Sequence, residues 1–227
     1  MTTLVLVRHG RTTANANHVL AGRSPGVHLD EVGTEQARTV GQRLAGVAVS
    51  AVYSSPMERC LQTAALIGQQ VDLPAATPAE ALTECDYGTW TGSTLKDLAA
   101  EALWQVVQQN PSEAVFPDGE SLGDMYARAV GWVRETNRRV ATDQGAHAVW
   151  LAVSHGDVIK SIVADALGMH LDQFQRIMVD PGSVTVIRYT PARPFVVCVN
   201  STAGALAPLC AGETPSAQVG GGLGSAD

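Results

Sequence analysis

A chain of 227 residues that is 45% apolar and 16% charged can bury a sizeable core, which excludes wholesale disorder. Its 22 acidic residues against 15 basic ones leave a formal charge of −7 and argue against nucleic acid or an anionic membrane as the main partner. Four cysteines, Cys60, Cys85, Cys198 and Cys210, form no CxxC pair, so neither a zinc site nor a disulfide framework is expected.

The first element is a short apolar run, Leu4 to Val7, of the kind that makes a parallel strand buried on both faces. It is too short for a signal peptide and no segment approaches a membrane span, so a cytoplasmic location is expected. Residues 31–46 then place Ala37, Val40 and Leu44 on one helical face, and a second strand is expected at Val49 to Tyr53. Ser55-Pro56-Met57-Glu58 reads as a helix start, with Ser55 as N-cap and Glu58 closing a capping box, the helix running to about residue 70. A strand-like stretch ends at Leu82, and helices are expected at 94–109, 121–142 and 157–167, with a strand at Val149 to Val153. Two last strands, Val184 to Tyr189 and Phe195 to Val199, flank Thr190-Pro191-Ala192-Arg193-Pro194 and imply a hairpin-like edge. The alternation implies an α/β domain over residues 1–200, three layers α/β/α around a mostly parallel sheet. Residues 201–227, rich in Gly and Ala and without Lys, Arg or aromatics, are expected to form a mobile tail.

In such sheets ligands sit beyond the carboxyl ends of the strands. Those ends carry Arg8-His9-Gly10, the Ser54 to Arg59 turn, Thr83-Glu84-Cys85-Asp86, and Ser154-His155-Gly156-Asp157. Two arginines, two histidines and one glutamate therefore converge on one edge. A phosphomonoester dianion needs charge-assisted, bidentate donors, which Arg8 and Arg59 supply, and the helix-start amides near Gly156 add a favourable dipole. A neutral imidazole can attack phosphorus in line and carry the phosphoryl group; two nearby arginines keep His9 unprotonated. Glu84 is the nearest carboxyl group able to protonate the departing alkoxide and then to activate water.

Each residue has a plainer reading as well. His9 alone could be a satisfied strand-end histidine, and Arg59 could cap Glu58 or Asp86. Asp86 and Asp157 rival Glu84 as the acid. Arg11, Arg23 and His28 read equally as substrate contacts or as an ordinary solvated loop. Tyr87, Trp90 and Trp104 could wall a pocket or simply fill the core, and His18, His147 and His170 show no partner pattern. Convergence on one edge is what sets the five chemical residues apart.

Leu6-Val7-Arg8-His9-Gly10-Arg11-Thr12-Thr13-Ala14-Asn15, Leu29-Asp30-Glu31-Val32-Gly33-Thr34-Glu35-Gln36-Ala37, Ser54-Ser55-Pro56-Met57-Glu58-Arg59, Glu84-Cys85-Asp86-Tyr87-Gly88-Thr89-Trp90, Gly119-Glu120-Ser121 and Ser154-His155-Gly156 occur in this order. The ordered set resembles the histidine phosphatase superfamily, the phosphoglycerate mutase-like proteins, over roughly the first 190 residues. The resemblance implies His9 as phosphorylated nucleophile and a phosphate pocket of Arg8, Arg59 and His155. It also implies Asn15 on the same phosphate, Ala21 and Gly22 lining the substrate side through backbone, Glu84 as proton donor and the Gly156 backbone facing the phosphate. It implies a small phosphorylated metabolite as substrate and no metal or other cofactor; Cys60 and Cys85 depart from the small or hydrophobic residues common at their positions.

The mutases of this group carry a longer, more basic insert after the acid motif, whereas Asp86 to Pro117 here holds a single basic residue, Lys96. Hydrolysis is therefore expected, with a cofactor-dependent phosphomutase and a non-catalytic phospho-ligand module as alternatives. A metal-dependent phosphohydrolase fits poorly, since His155-Gly156-Asp157 alone cannot make a metal site. Homo-oligomerisation is left open.

Overall fold

The computed structural model describes residues 1–211, and in it the first apolar run becomes β1 (Thr2–Arg8), an inner strand of a six-stranded sheet. After it come the single turn α1 (Thr13–Ala16), α2 (Glu31–Arg43), β2 (Val49–Ser54), α3 (Glu58–Gly68) and the two-residue β3 (Thr77–Pro78). Helices α4 (Leu95–Leu98), α5 (Ala102–Gln109) and α6 (Leu122–Asp143) lead to β4 (Val149–Ser154) and α7 (Gly156–Ala166). Strands β5 (Val184–Tyr189) and β6 (Pro194–Ser201) precede a final turn, α8 (Ala207–Cys210). The spatial order is β3-β2-β4-β1-β5-β6. The pairings among β3, β2, β4 and β1 are parallel, and β5 and β6 add the antiparallel edge that the Pro-flanked turn implied.

β1 and β4 explain their unbroken apolar runs. Leu4 and Leu6 face one core with Trp150 and Ala152, while Val5 and Val7 face the other with Leu151 and Val153. Side chains alternate across a strand, so one buried on both faces must be apolar at every position. Helices α6 and α7 cover the first face through Met125, Val133, Ile159 and Ile162; α2 and α3 cover the second through Val40, Ala64 and Ile67. Among the described residues no helix is long and apolar enough to cross a membrane.

Three local expectations change. The third helix begins at Glu58 with Met57 as N-cap and no side-chain cap; the Ser55 hydroxyl meets His155 Nε2 at 2.8 Å and accepts from the Met57 amide at 3.3 Å rather than closing a capping box with Glu58. The stretch before Glu84 is the two-residue β3 followed by a 3-10 turn at Glu80–Leu82, since Pro74 and Pro78 withhold ladder donors. Residues 94–109 split into α4 and α5 although Ala99, Ala100 and Glu101 are good helix formers. Leu98 and Val107 both enter the first core, yet a continuous helix would set residues nine apart on opposite sides; the break turns both inward.

The chain after β6 also differs from the expected tail. Residues 201–211 are seated on α2, where the buried Arg43 donates to the carbonyls of Ser201, Ala203 and Gly204, and Leu206 is fully buried. Arg43 gains acceptors that a Gly/Ala-rich segment offers only through its backbone. The rest of the expected tail, 212–227, lies outside the described residues.

Register aligns the carboxyl ends of the central strands: Arg8 stands opposite Ser154 and Ser54 opposite Val153. The loop after β1 is held by backbone packing, for a Cβ on Gly33 would meet the Arg11 carbonyl oxygen at 2.0 Å and one on Gly10 the Gly33 oxygen at 2.3 Å. Gly33→Ala should therefore cost about 1–3 kcal/mol of stability and lower turnover together, by prying the loop from α2. A thermal melt and a kcat/KM measurement check this; a variant with unchanged melting temperature would show that the loop yields cheaply.

Candidate active site

The strand ends bring four of the five expected chemical residues to one cavity of about 350 Å³: Arg8, His9, Arg59 and Glu84 all line it. His9 is buried, its backbone amide donating to the Ser154 carbonyl at 2.9 Å. Its Nδ1 lies 2.8 Å from the Gly10 carbonyl oxygen. A carbonyl can only accept, so Nδ1 carries the proton and the Nε2 lone pair stays available. Burial first, then the neighbouring Arg59 and Arg8 charges, hold the His9 pKa well below its ordinary value, and the ring is neutral at pH 7.

The two guanidiniums are each tied down on one side. Arg8 Nη1 donates to the Val179 carbonyl at 2.6 Å, and Arg59 Nη2 to the Gly22 carbonyl at 2.7 Å. What remains is unusual. Arg8 Nε and Arg59 Nη1 are buried without an acceptor among the described residues. Buried charged donors left unpaired are costly in a protein interior, so their presence beside His9 points to an anion as their acceptor. Gly156, the first residue of α7, lies against Arg8; a Cβ there would sit 3.5 Å from the guanidinium carbon. The first amides of an α-helix lack intrahelical acceptors and favour negative charge.

His155 is brought to the site but not into the cavity wall. It is fully buried behind Arg59, its ring 5.2 Å from that of His9. Arg59 Nη2 lies 3.2 Å from His155 Nδ1, so Nδ1 accepts and Nε2–H donates to Ser55 Oγ. In this arrangement His155 Nδ1 supports Arg59 and its Nε2 is turned to Ser55. Burial, followed by Arg59, keeps its pKa well below the ordinary histidine value.

Burial, and then Asp157, pushes the Glu84 pKa up to about 7. Asp86 pairs with Arg23 at 3.6 Å, and Asp157 accepts the Tyr87 hydroxyl at 2.9 Å. Asn15, Ala21 and Gly22 line the cavity as expected. Asn15 Oδ1 accepts from the Thr12 amide and hydroxyl, which leaves its Nδ2 without a protein acceptor among the described residues. Cys60 Sγ lies 3.5 Å from His155 Nε2, and burial pushes its thiol up to about 12, so it stays protonated.

Residues 4–202 match the family model of the histidine phosphatase superfamily, branch 1. The chain belongs to that superfamily. It is 31% identical to 2-carboxy-D-arabinitol-1-phosphatase of Triticum aestivum over 87% of the chain, and spans only 39% of that protein's length. It is 28% identical to phosphoserine phosphatase 1 of Hydrogenobacter thermophilus, covering 89% of this chain and 93% of that one. A 2,3-bisphosphoglycerate-dependent phosphoglycerate mutase of Brucella melitensis is 30% identical over 82% of this chain and 91% of its own. The crystal structure of the alpha-ribazole phosphatase from Shigella flexneri superposes with a TM-score of 0.77 at 26% identity, covering 89% of this chain and 98% of that one.

Seen as a histidine phosphatase superfamily member, the chain holds its candidate acid with residues whose roles were not legible. The Glu84 carbonyl accepts from Arg23 Nε at 2.8 Å and Arg128 Nη2 at 3.2 Å. Glu120 bridges these arginines at 2.9 and 2.6 Å and also accepts the Asp86 amide. Arg23 is thus tied to the acid loop through the Glu84 carbonyl and the Asp86 and Glu120 carboxylates. Arg11 pairs with Asp30 and His28 with Gln62, which serve the loop. Glu120 sits in the Gly-Glu-Ser motif, so the sequence marked its place without revealing its task.

Proposed function

We propose that this protein hydrolyses phosphomonoesters through a phosphohistidine on His9. The observation that carries this reading is the pair of buried guanidiniums beside His9, each with an N–H group left without an acceptor among the described residues. They match the charge and geometry of a phosphoryl dianion, and they would stabilise the charge spread over its equatorial oxygens in the transition state. Asn15 Nδ2 and the Gly156 amide supply further donors. His9 Nε2 attacks phosphorus, and the bond to the leaving alkoxide breaks as Glu84, protonated below about pH 7, gives up its proton. The resulting carboxylate then takes a proton from water as the water oxygen attacks phosphohistidine. Inorganic phosphate leaves and both groups are restored. His155 acts at one remove by fixing Arg59.

Inorganic phosphate release across a panel of phosphorylated metabolites, with mutase products followed in parallel, tests this. Turnover is expected without added bisphosphate, and excess chelator should leave the rate unchanged. Dependence on a bisphosphate primer with little phosphate released would instead favour the mutase reading, which the Brucella relative keeps in view. Inhibition by chelator reversed by divalent metal would favour metal chemistry, and phosphate binding without turnover a binding module.

A further inference from the structure

Half of the cavity in front of the arginines takes no part in the phosphoryl chemistry. Its wall is aromatic: Trp90 and Trp104 lie 6.3 Å apart between ring centres, and Phe116 packs edge-on to Trp90 at 5.3 Å. At the cavity rim Leu95 is 38% and Met178 64% exposed, large apolar side chains left in water where a ligand would pass. Apolar walls with solvent-exposed apolar rims mark surfaces that a ligand covers.

The charges at this end are already committed. Among the described residues, Lys160 is the one cation lining the cavity besides Arg8 and Arg59. Its Nζ lies 3.3 Å from Asp157 Oδ1 and 3.0 Å from Gln175 Oε1, and 5.5 Å from the centre of the Phe174 ring. The other Asp157 oxygen takes the Tyr87 hydroxyl, which fixes the pair in place. Asp180 adds a further carboxylate to the lining. An anionic group entering here would lose its water beside two carboxylates and meet, in Lys160, a cation already engaged by Asp157 and Gln175.

We propose, on the reading that His9 accepts the phosphoryl group, that the leaving group carries a neutral apolar body seated on Trp90 and Trp104, and that the site discriminates against a second anionic group. The substrate class is thus the phosphate ester of an apolar alcohol. Phosphorylated hydroxy acids and bisphosphates are disfavoured, which separates this chain from mutase chemistry at the level of binding.

Three alkyl phosphates with closely matched leaving alcohols test this: n-propyl phosphate, 3-phenylpropyl phosphate and 4-phosphooxybutyrate. The phenylpropyl ester should exceed the propyl ester in kcat/KM by about tenfold or more, and the carboxylated ester should fall below it. Trp104→Ala should shrink the ratio of phenylpropyl to propyl. Met178→Lys, at an exposed position where folding is not at stake, should narrow the gap between the phenylpropyl and carboxylated esters several-fold. Equal kcat/KM for all three, or a preference for the carboxylated ester, would overturn the inference while leaving phosphatase action intact. No phosphate release from any of them by folded protein would overturn both.

Discussion

Replacing His9 with alanine should lower kcat by about 10⁴-fold or more while the protein stays folded, because the variant loses the group proposed to carry the phosphoryl moiety. The expectation rests on three facts. His9 lines the cavity between two arginines, its Nδ1 proton is fixed by the Gly10 carbonyl, and its ring is neutral at pH 7. No protonated, non-nucleophilic fraction has to be displaced, so His9 itself should impose no loss of kcat/KM between pH 7 and 6. A limb near pH 6 would instead report the second ionisation of the phosphate ester. Rapid quench into alkali after mixing with a labelled phosphomonoester should trap label on the wild-type protein and none on His9→Ala. Label retained in the variant, or turnover within tenfold of wild type, would move the nucleophile elsewhere.

Glu84→Gln should lower kcat/KM for alkyl phosphates by about 10²–10⁴-fold and that for 4-nitrophenyl phosphate far less, since nitrophenolate leaves without a proton. The sign of the pH dependence follows from its pKa of about 7. The acid is present below that pH and lost above it, so wild-type kcat/KM for an alkyl ester should fall as pH rises through 7. The Gln variant should lack that limb. An equal loss on both leaving groups would assign proton donation to another residue. Stability should move the opposite way. With its pKa raised on folding, Glu84 gives stability that is full below the ordinary carboxylate range and lost as pH rises through 7. Gln cannot ionise, so the variant should be more stable than wild type at pH 8 by up to about 3 kcal/mol, with the difference vanishing near pH 4. Thermal melts at the two pH values measure it.

The fold was legible where burial is two-sided or capping chemistry is local. β1 and β4 announced themselves because both faces must be apolar, and α6 begins within a residue of its expected start, where the Ser121 hydroxyl accepts from the Asp124 amide. Ser55 shows where local reading ends. Its motif is a good helix start, yet its hydroxyl meets the buried His155 imidazole, a hundred positions away in the chain, as well as the Met57 amide, and local sequence shows only the second. The α4–α5 break has the same character, since only the position of the core says that Leu98 and Val107 must face one way.

By itself the sequence determined an α/β sheet and that Arg8, His9 and His155 stand at the ends of its inner strands, because strand and helix periods and turn chemistry are written in nearest neighbours. Tertiary structure alone decided that Arg8 and Arg59 each keep an N–H group unpaired among the described residues, that His155 stands behind Arg59, and that Lys160 is held by Asp157 and Gln175. Those outcomes depend on which buried donor meets which acceptor across the fold. Hydrogen-bond geometry over a few ångströms fixes them, and no spacing along the chain records it.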